Sequence, residues 1–478
     1  MKNIKKYLLL FFAATIIVSC GDADLEPVLS LDKDLASGIQ SEADLQAVMN
    51  SAYDRMSSSG YYGRNQIIDG DVRTDNMYSN MNSGRFANSS MDYSSTGAGS
   101  WVNYYSVIAI CNIVIAADAA SLEGDQNGIS YIQGQAYAVR ALVHFDALKA
   151  YGQHFITGQG GASSLGVPYV KTYKVSENLT PARGTVASNV ADITADLTTA
   201  IAMMSGWTQP VSSSYMTLAG AYAVGARALL YAASVTGDYS GAASMSKWVI
   251  DNSGKSPVTA SGFASSYTTD NASNSIFEIA MSGSDNPGIN GVAYILRGTS
   301  YGDVRILTGD GANPDLLDLA LERPGDVRFA ANMVGTAQGY PTVLGKFPTM
   351  TGSDNVTIIR VEEMHLIYAE AMLWQGDAAT ALTYLNNIPA IRGLGADYYK
   401  EATLANILKE RRVEFYCEGL RYDDLLRTGQ GMPLIDSTKQ LNDDRTGTTP
   451  SYGDYNTAMP IYQSELNANS NMVQNYGY

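Results

Sequence analysis

Apolar residues recur at steps of three and four in several parts of the chain, a spacing typical of amphipathic helices. The clearest example contains Ile132, Ala136, Val139 and Val143 and ends before Gly152. It predicts a helix over residues 132–150. The same spacing predicts further helices over residues 41–56, 102–120, 186–204, 216–234, 360–375 and 404–426. The hydrophobic pattern therefore predicts a mainly α fold.

Two short motifs indicate how these helices are arranged. The sequence GDYSGA at 237–242 and the sequence GDAATA at 376–381 each follow one predicted helix and precede another. Glycine ends the first helix, aspartate caps the second, and alanine lets the two approach closely. This arrangement is typical of tetratricopeptide-like hairpins, although helical hairpins of other kinds share the same chemistry.

Two long stretches, about 57–100 and 255–355, have no clear periodicity and are rich in Gly, Ser, Asn, Asp and Tyr. Compact domains seldom contain loops of this length unless the loops are functional. Disorder is the alternative, but the tyrosines and scattered Phe, Ile and Val favour packed, irregular structure with short strands. We expect the ligand surface in these two stretches.

The first residues have the layout of an export signal. Three lysines precede an apolar run over residues 7–18 that is too short to span a bilayer. The run ends in the sequence IVSC, with a small residue directly before Cys20. This pattern predicts cleavage before Cys20 and lipidation of its thiol; an ordinary signal peptide with an incidental cysteine is the alternative. We expect a signal peptide at 1–19, a lipidated tether at 20–40 and a single domain at 41–478.

Charge and composition narrow the range of partners. The chain has 47 acidic and 31 basic residues, a formal net charge of −16. Nucleic acid and anionic lipid surfaces would repel such a protein, so we expect membrane attachment through the lipid anchor only. The 32 tyrosines greatly outnumber the 10 phenylalanines and 4 tryptophans, and tyrosine suits wet binding surfaces as well as cores.

Catalytic motifs are missing from the sequence. His144, His154 and His365 are not in metal-ligand spacing, and Cys111 and Cys417 are expected in the core. The sequence contains no nucleophile elbow, Walker loop or dinucleotide fingerprint. Metal, triad and nucleotide chemistry are therefore disfavoured.

One segment has some features of a calcium loop. It contains Asp310, Asn313 and Asp315, but Pro314 and the missing terminal glutamate break the EF-hand spacing. We expect no cofactor and keep a structural calcium ion as a weaker alternative.

Several motifs in the chain occur in the same order in one known family. They are ERRVEF at 410–415, EGLRYDDLLRTG at 418–429, RALVHFDALKAYG at 140–152, GVP at 166–168, PAR at 181–183, PIYQSELNAN at 460–469 and QNYGY at 474–478. Together they resemble the SusD (RagB/SusD) family of outer-membrane nutrient-binding lipoproteins of Bacteroidota. The sequence departs from the family where FI replaces the proline that usually follows YG.

The resemblance implies a SusD-like fold: four tetratricopeptide-like helix hairpins packed against an irregular, loop-rich half with short strands. It implies non-catalytic capture of an oligosaccharide or polysaccharide at the outer face of the outer membrane. The implied partner is a SusC-like TonB-dependent transporter. Within the motifs, we expect Arg411 to pair with Glu414 and Asp423 with Arg427 along a helix face.

Candidate ligand residues follow from sugar chemistry. Sugar rings stack on aromatic side chains, and their hydroxyls bond to Asp, Asn and Arg. The residues of these types that we select from the two irregular stretches and the helix start between them are Arg73, Asp75, Asn76, Tyr78, Trp101, Tyr294, Arg297, Tyr301 and Tyr340.

Three alternatives to glycan capture stay open. The same fold could capture peptides, two of the many carboxylates could form a secreted helical glycosidase, or the protein could be a pure protein scaffold. Asp71, Asp75 and Asp303 lie in tyrosine-rich loops, where a carboxylate suits sugar hydroxyls as well as catalysis.

Overall fold

The computed structural model describes residues 38–92, 100–175, 179–309, 313–441 and 449–478. Signal peptide, Cys20 and most of the tether lie outside these ranges. The α-helices are α1 (Glu42–Ser57), α2 (Asn65–Val72), α3 (Trp101–Ala116), α4 (Gln126–Tyr151), α5 (Val186–Met204), α6 (Leu218–Thr236), α7 (Ser240–Asn252), α8 (Val292–Arg297), α9 (Leu316–Leu321), α10 (Val361–Trp374), α11 (Ala378–Pro389), α12 (Leu404–Phe415), α13 (Arg421–Arg427), α14 (Ser437–Gln440) and α15 (Gln463–Ala468).

Strands are few and short in the described residues. They are β1 (Met77–Ser79), β2 (Ser275–Ile279), β3 (Val304–Ile306), β4 (Val334–Ala337), β5 (Tyr340–Val343) and β6 (Val356–Arg360). They form three two-stranded antiparallel sheets, β1 with β3, β2 with β6 and β4 with β5. Tyr78 pairs with Arg305 in the first sheet, which therefore joins the two irregular stretches.

Eight helices form four packed pairs. Helix α1 packs against α3, α4 against α5, α6 against α7, and α10 against α11. Contacts between α3 and α4, α5 and α6, and α7 and α10 join the pairs into one continuous row. The prediction of a mainly α fold with four helix hairpins and a loop-rich half with short strands is confirmed.

Both repeated motifs end their first helix as the sequence predicts, but of the two aspartates only Asp377 is the N-cap residue of the second helix, since α7 begins after Tyr239. Gly237 and Gly376 adopt the left-handed backbone conformation, with φ of 74° and 86°, and each follows a helix of the row. The Asp377 side chain caps α11 by accepting from the backbone N–H of Thr380. Asp238 accepts from the backbone N–H of Ser240 at the start of α7.

Helix α6 is long and apolar enough to cross a membrane by length and composition. Within the fold, 67% of its most apolar window is buried, and the helix packs between α5 and α7. A mostly buried helix of this kind is a core element. The largest core cluster extends from Leu45 to Met472 and includes the fully buried Cys111 and Cys417.

The predicted helix over 404–426 is interrupted. The chain leaves the helical conformation after Phe415 and re-enters it at Arg421. Cys417 and Gly419 have positive φ angles of 58° and 77°, a conformation that ends an α-helix. The apolar periodicity continues through the break, so periodicity alone did not show it.

A buried carboxylate holds four separate segments together. Glu414 on α12 accepts hydrogen bonds from Arg328 (3.0 Å), Arg360 (2.8 Å) and Arg392 (2.7 Å). These arginines come from the turn after α9, the end of β6 and the segment after α11. Burial alone would raise the pKa of Glu414, but the three guanidinium groups outweigh burial and hold the pKa well below its usual range.

Further charged side chains surround this centre. Arg328 also binds Glu410 at 2.6 Å, and Arg392 also binds Glu362 at 2.9 Å. The side chains of these two ion pairs are all 0% exposed. We call Glu362, Glu410, Glu414, Arg328, Arg360 and Arg392 the charge cluster.

The expected pairs along the helix face are wrong. Arg411 binds Asp424 at 2.8 Å rather than Glu414, and Asp423 binds Lys149 at 2.7 Å rather than Arg427. Arg427 instead binds Asp424 and Glu370. Spacing of three or four residues can bring side chains together along a helix face, as it does for Arg427 and Asp424, but Arg411 and Asp423 pair with residues of other helices.

Replacement of Glu414 by alanine is expected to lower the free energy of unfolding by about 3–5 kcal/mol, because three buried guanidinium groups lose a common partner. Chemical unfolding followed by circular dichroism measures the change. Glu322→Ala is the matched control, because it breaks the exposed ion pair with Lys409 (side chains 48% and 38% exposed). That control is expected to cost less than about 1 kcal/mol; equal losses in both variants would contradict a structural role of the cluster.

Candidate functional site

Three candidates from the first irregular stretch lie in the interior. Arg73, Asp75 and Asn76 are 2%, 1% and 0% exposed. Arg73 stacks on the Tyr422 ring, with 4.2 Å from guanidinium carbon to ring centroid, and donates to the Asn456 carbonyl. These side chains contact protein groups and are not part of the molecular surface.

Asp75 and Asn76 join the first irregular stretch to the C-terminal helices. Asp75 accepts two hydrogen bonds of 2.8 Å from Arg421 and forms an ion pair with Arg412 at 3.2 Å. The Asn76 amide donates to Asp71 at 2.7 Å and accepts from Arg412 at 2.9 Å. This part of the stretch is therefore scaffold.

A pair of glycines allows this close approach. A Cβ atom on Gly70 in α2 would lie 2.2 Å from the carbonyl oxygen of Gly419, so only glycine fits there. Gly419 itself has a φ of 77°. The helix break after α12 and the end of α2 consequently pack backbone to backbone.

Tyr78 and Trp101 are also interior. Tyr78 is 7% exposed and packs with Leu307 and Ile435. Trp101 is 5% exposed, packs on Tyr151 at a centroid distance of 4.9 Å, and donates from Nε1 to Glu465. Like Asp75, both support the fold and offer little area to a ligand.

The three candidate tyrosines of the second stretch reach the surface, whereas Tyr267 of the same stretch is buried. Tyr294 on α8 and Tyr301 in the following loop meet edge to face, with ring centroids 5.5 Å apart. Tyr340 begins β5 and is 47% exposed. We call Tyr294, Tyr301 and Tyr340 the tyrosine face.

Gln338 links Tyr340 to the other two tyrosines. Its amide donates to the Gly298 carbonyl at 2.7 Å, and its amide oxygen accepts from Arg305 at 2.9 Å. Gly298 lies between the two tyrosines of the α8 region, and Arg305 lies 5.5 Å from the Tyr340 ring centroid. The β4–β5 turn is thereby held beside the loop after α8.

Arg297 acts differently from the tyrosines around it. It is half-buried and donates to the carbonyls of Val343 (2.7 Å), Phe347 and Pro348 (3.2 Å). Burial lowers the pKa of its guanidinium. Arg297 therefore fastens α8 to the segment after β5.

Polar residues that sequence reasoning missed border the tyrosine face. The Arg85 guanidinium lies over the Tyr301 ring, 3.8 Å from its centroid, and donates to Asn290 at 3.1 Å. The Asn82 amide donates to the Tyr301 carbonyl at 2.7 Å. These contacts join residues about two hundred positions apart, and the Asn-rich sequence around Asn82 contains no periodic signal that would indicate its partner.

Asp303 holds the two stretches together at this face. Its carboxylate is fully buried and accepts from the Ser83 backbone N–H (2.6 Å) and hydroxyl (2.9 Å). Asp71 is fully buried as well and accepts from the Gly419 N–H at 2.8 Å. Neither carboxylate lies where it would meet a sugar hydroxyl.

The segment with features of a calcium loop is used for helix capping. Asp310 lies outside the described residues. The Asn313 amide donates to the Leu434 carbonyl, and Asp315 caps α9 by accepting from two backbone N–H groups. Among the residues that the structure describes, no group of three His, Cys, Asp or Glu side chains is arranged to hold a metal ion.

The ion pairs of Asp75 predict a pH dependence of stability. Burial raises the pKa of Asp75, but Arg412 and Arg421 outweigh it and lower the pKa to about 2. The ionised carboxylate therefore stabilises the fold above about pH 4 and loses this effect as the pH falls toward 2. Asp75→Asn is expected to cost about 2 kcal/mol or more at pH 7.

Urea unfolding between pH 7 and pH 3 measures this effect. The difference between wild type and Asp75→Asn is expected to shrink below pH 4, while Asp285→Asn, at an exposed position, changes little at any pH. A difference that stays constant over this range would show that the ion pairs are not its cause.

Two family models match the chain. One, described as the SusD family, matches residues 343–478. The other, described as starch-binding and associating with the outer membrane, matches residues 28–230. The first contains the charge-cluster helix α12, and the second contains the first two helix pairs and most of α6.

Curated relatives match over part of their length. SusD-like protein P2 of Formosa agariphila is 26% identical over 160 residues, which is 31% of this chain and 30% of the relative. The starch-binding protein SusD of Bacteroides thetaiotaomicron is 33% identical over 146 residues, 30% of this chain and 24% of the relative. The alignments thus span less than a third of either relative.

Solved structures match over nearly the whole chain. A SusD superfamily protein from Bacteroides thetaiotaomicron has a TM-score of 0.78 and 26% identity, covering 91% of this chain and 99% of the other. A SusD superfamily protein from Bacteroides vulgatus has a TM-score of 0.77 and 27% identity, covering 92% and 100%. The motifs, the row of helix hairpins and these matches agree, and the chain belongs to the SusD family.

Proposed function

We propose that this protein is a non-catalytic surface lipoprotein that captures a glycan at the tyrosine face. The observation that carries the proposal is the contact of Tyr294 with Tyr301 beside Arg85 and the exposed Asn82 amide, with the turn before Tyr340 held next to them by Gln338. Aromatic rings stack on the C–H faces of sugars, and the amide and guanidinium groups bond to hydroxyls.

The names of relatives support the same ligand class. One curated relative is a starch-binding protein, and one family model is described as starch-binding. A laminarin-binding SusD-like protein has the same fold, with a TM-score of 0.68 and 18% identity. Starch and laminarin are both glucans, so these are the first polysaccharides to test.

The chemistry of the face favours a glycan over a peptide. Peptide capture by strand addition depends on backbone hydrogen bonds at a sheet edge. Here the groups at the surface are side chains: Tyr294 and Tyr301 are partly exposed, and Tyr340 is 47% exposed. Peptide capture therefore remains the second candidate.

The same residues favour binding over hydrolysis. A glycosidase of the usual kind needs two carboxylates on either side of the scissile bond. The polar side chains that border the tyrosine face are arginine, asparagine and glutamine, and Asp303 is turned inward to bind Ser83. We propose that no bond of the glycan is broken here.

Capture at this face fits a protein tethered to the outer membrane. We propose that lipid on Cys20 holds the domain at the cell surface, and that the captured glycan passes to a SusC-like TonB-dependent transporter. The family model that covers residues 28–230 is described as associating with the outer membrane, and the export pattern of the first twenty residues supports the anchor.

Simultaneous replacement of Tyr294 and Tyr301 by alanine is expected to weaken glycan binding about 10- to 100-fold, because two aromatic platforms are lost. Affinity electrophoresis in gels containing amylopectin or laminarin measures retardation, and thermal unfolding checks the fold. Tyr476→Ala is the control, since Tyr476 is 55% exposed and lies outside the tyrosine face. Equal retardation of the double variant and wild type would place the site elsewhere.

Replacement of Cys20 by alanine is expected to release the protein from the membrane fraction and abolish surface labelling of whole cells, because no thiol remains for lipid attachment. The purified domain of the variant is expected to bind the same polysaccharide as wild type. Retention of the variant in the membrane fraction would show that the anchor is not on Cys20.

A further inference from the structure

A second aromatic site lies on the helical half of the molecule. A cleft of about 420 Å³ opens between the second and third helix pairs, within the size range of small-ligand sites. Its lining includes Tyr131 of α4, Trp207 after α5, Trp248 and Asn252 of α7, and Lys255. We call it the indole cleft; none of its lining residues belongs to the tyrosine face.

The two indoles are held rigidly by tyrosines. Trp248 stacks on Tyr222, with ring centroids 3.8 Å apart and planes within 12°. Trp207 packs against Tyr131, with centroids 5.3 Å apart. Both indoles are partly exposed. Rings fixed in this way lose little conformational entropy when a ligand binds, which suits a stacking platform.

Polar groups at the cleft match sugar hydroxyls. The Lys255 ammonium donates to the Ser213 hydroxyl (3.3 Å) and the Ala272 carbonyl (3.2 Å), and an ammonium has three N–H donors. The Asn252 amide donates to the Trp248 carbonyl, which leaves its oxygen to accept. A donor and an acceptor therefore accompany the aromatic rings.

Carboxylates do not line the described part of this cleft, although the whole chain has a net charge of −16. The cleft therefore lacks the pair of carboxylates that a glycosidase needs. It also lacks the negative charge that is in excess over the chain as a whole. Its chemistry is that of a binding site.

We infer that the indole cleft is a second carbohydrate-binding site, which takes a short segment of the same class of glycan as the tyrosine face. This inference rests on the proposed function, because the ligand class is taken from it. Two sites on separate halves of the domain hold one polysaccharide chain more tightly than either alone, since the second contact is intramolecular.

Isothermal titration calorimetry with maltoheptaose and with laminarihexaose tests this inference. Wild type is expected to bind two molecules of one of these oligosaccharides per chain. The Trp207→Ala/Trp248→Ala variant and the Tyr294→Ala/Tyr301→Ala variant are each expected to bind one. Trp374→Ala is the matched control, because Trp374 also stacks on a tyrosine (Tyr239, 5.3 Å) but lies outside the cleft, and it is expected to keep two.

A single substitution at the surface tests the cleft without the risk that the protein fails to fold. Asn252 is exposed, and Asn252→Ala is expected to weaken the cleft site about fivefold, as for one hydrogen bond, with an unchanged melting temperature. If the tyrosine variant loses all binding while the cleft variants bind as wild type does, the second site is wrong and the proposed function stands. If wild type binds neither oligosaccharide, both are contradicted.

Discussion

The buried carboxylate of Glu414, shared by Arg328, Arg360 and Arg392, is the interaction on which the rest of the structure depends. The four residues come from segments that are far apart in sequence. Each charge has lost its water and is stable only with its partners in place. The charge cluster therefore fixes how the end of the helical row meets the loop-rich half, and it leaves few alternative arrangements.

The fixed C-terminal helices in turn position the tyrosine face. Asp75, bound by Arg412 and Arg421, lies two residues before β1, and β1 pairs with β3 a few residues after Tyr301. The Leu307 N–H donates to the Asn76 carbonyl at 2.9 Å, which continues the same ladder. The buried ion pairs of Asp75 thus fix the position of β1 and, through β3, of the loop that contains Tyr301. The loop is therefore held in place without regular secondary structure of its own.

The sequence predicts the helical half well because each helix carries its own periodic signal. The bounds of α5 match the predicted 186–204, and α1 and α10 differ from prediction by one residue at each end. The prediction of side-chain pairs fails where the partner residue lies on another element. Arg411 pairs with Asp424 across a helix break, a contact that local spacing does not reveal.

The candidate site shows the same limit. Asp75 and Tyr294 both lie in tyrosine-rich stretches, and composition alone does not tell which side chain is turned inward. The structure buries Asp75 against two arginines and leaves Tyr340 exposed. The sequence does not indicate Arg85 as a site residue, because its partner Tyr301 is more than two hundred residues away. Burial of long-range polar pairs is a property of the fold and is not encoded in local pattern.

The most direct measurement is a crystal structure of the lipid-free domain with an oligosaccharide that binds it on a glycan array. Glycan capture at the tyrosine face predicts sugar rings stacked on Tyr294, Tyr301 or Tyr340, with hydroxyls bonded to Arg85 or Asn82 and no bond of the sugar cleaved. A ligand bound elsewhere with the tyrosine face empty, or a hydrolysed product in the site, would contradict it.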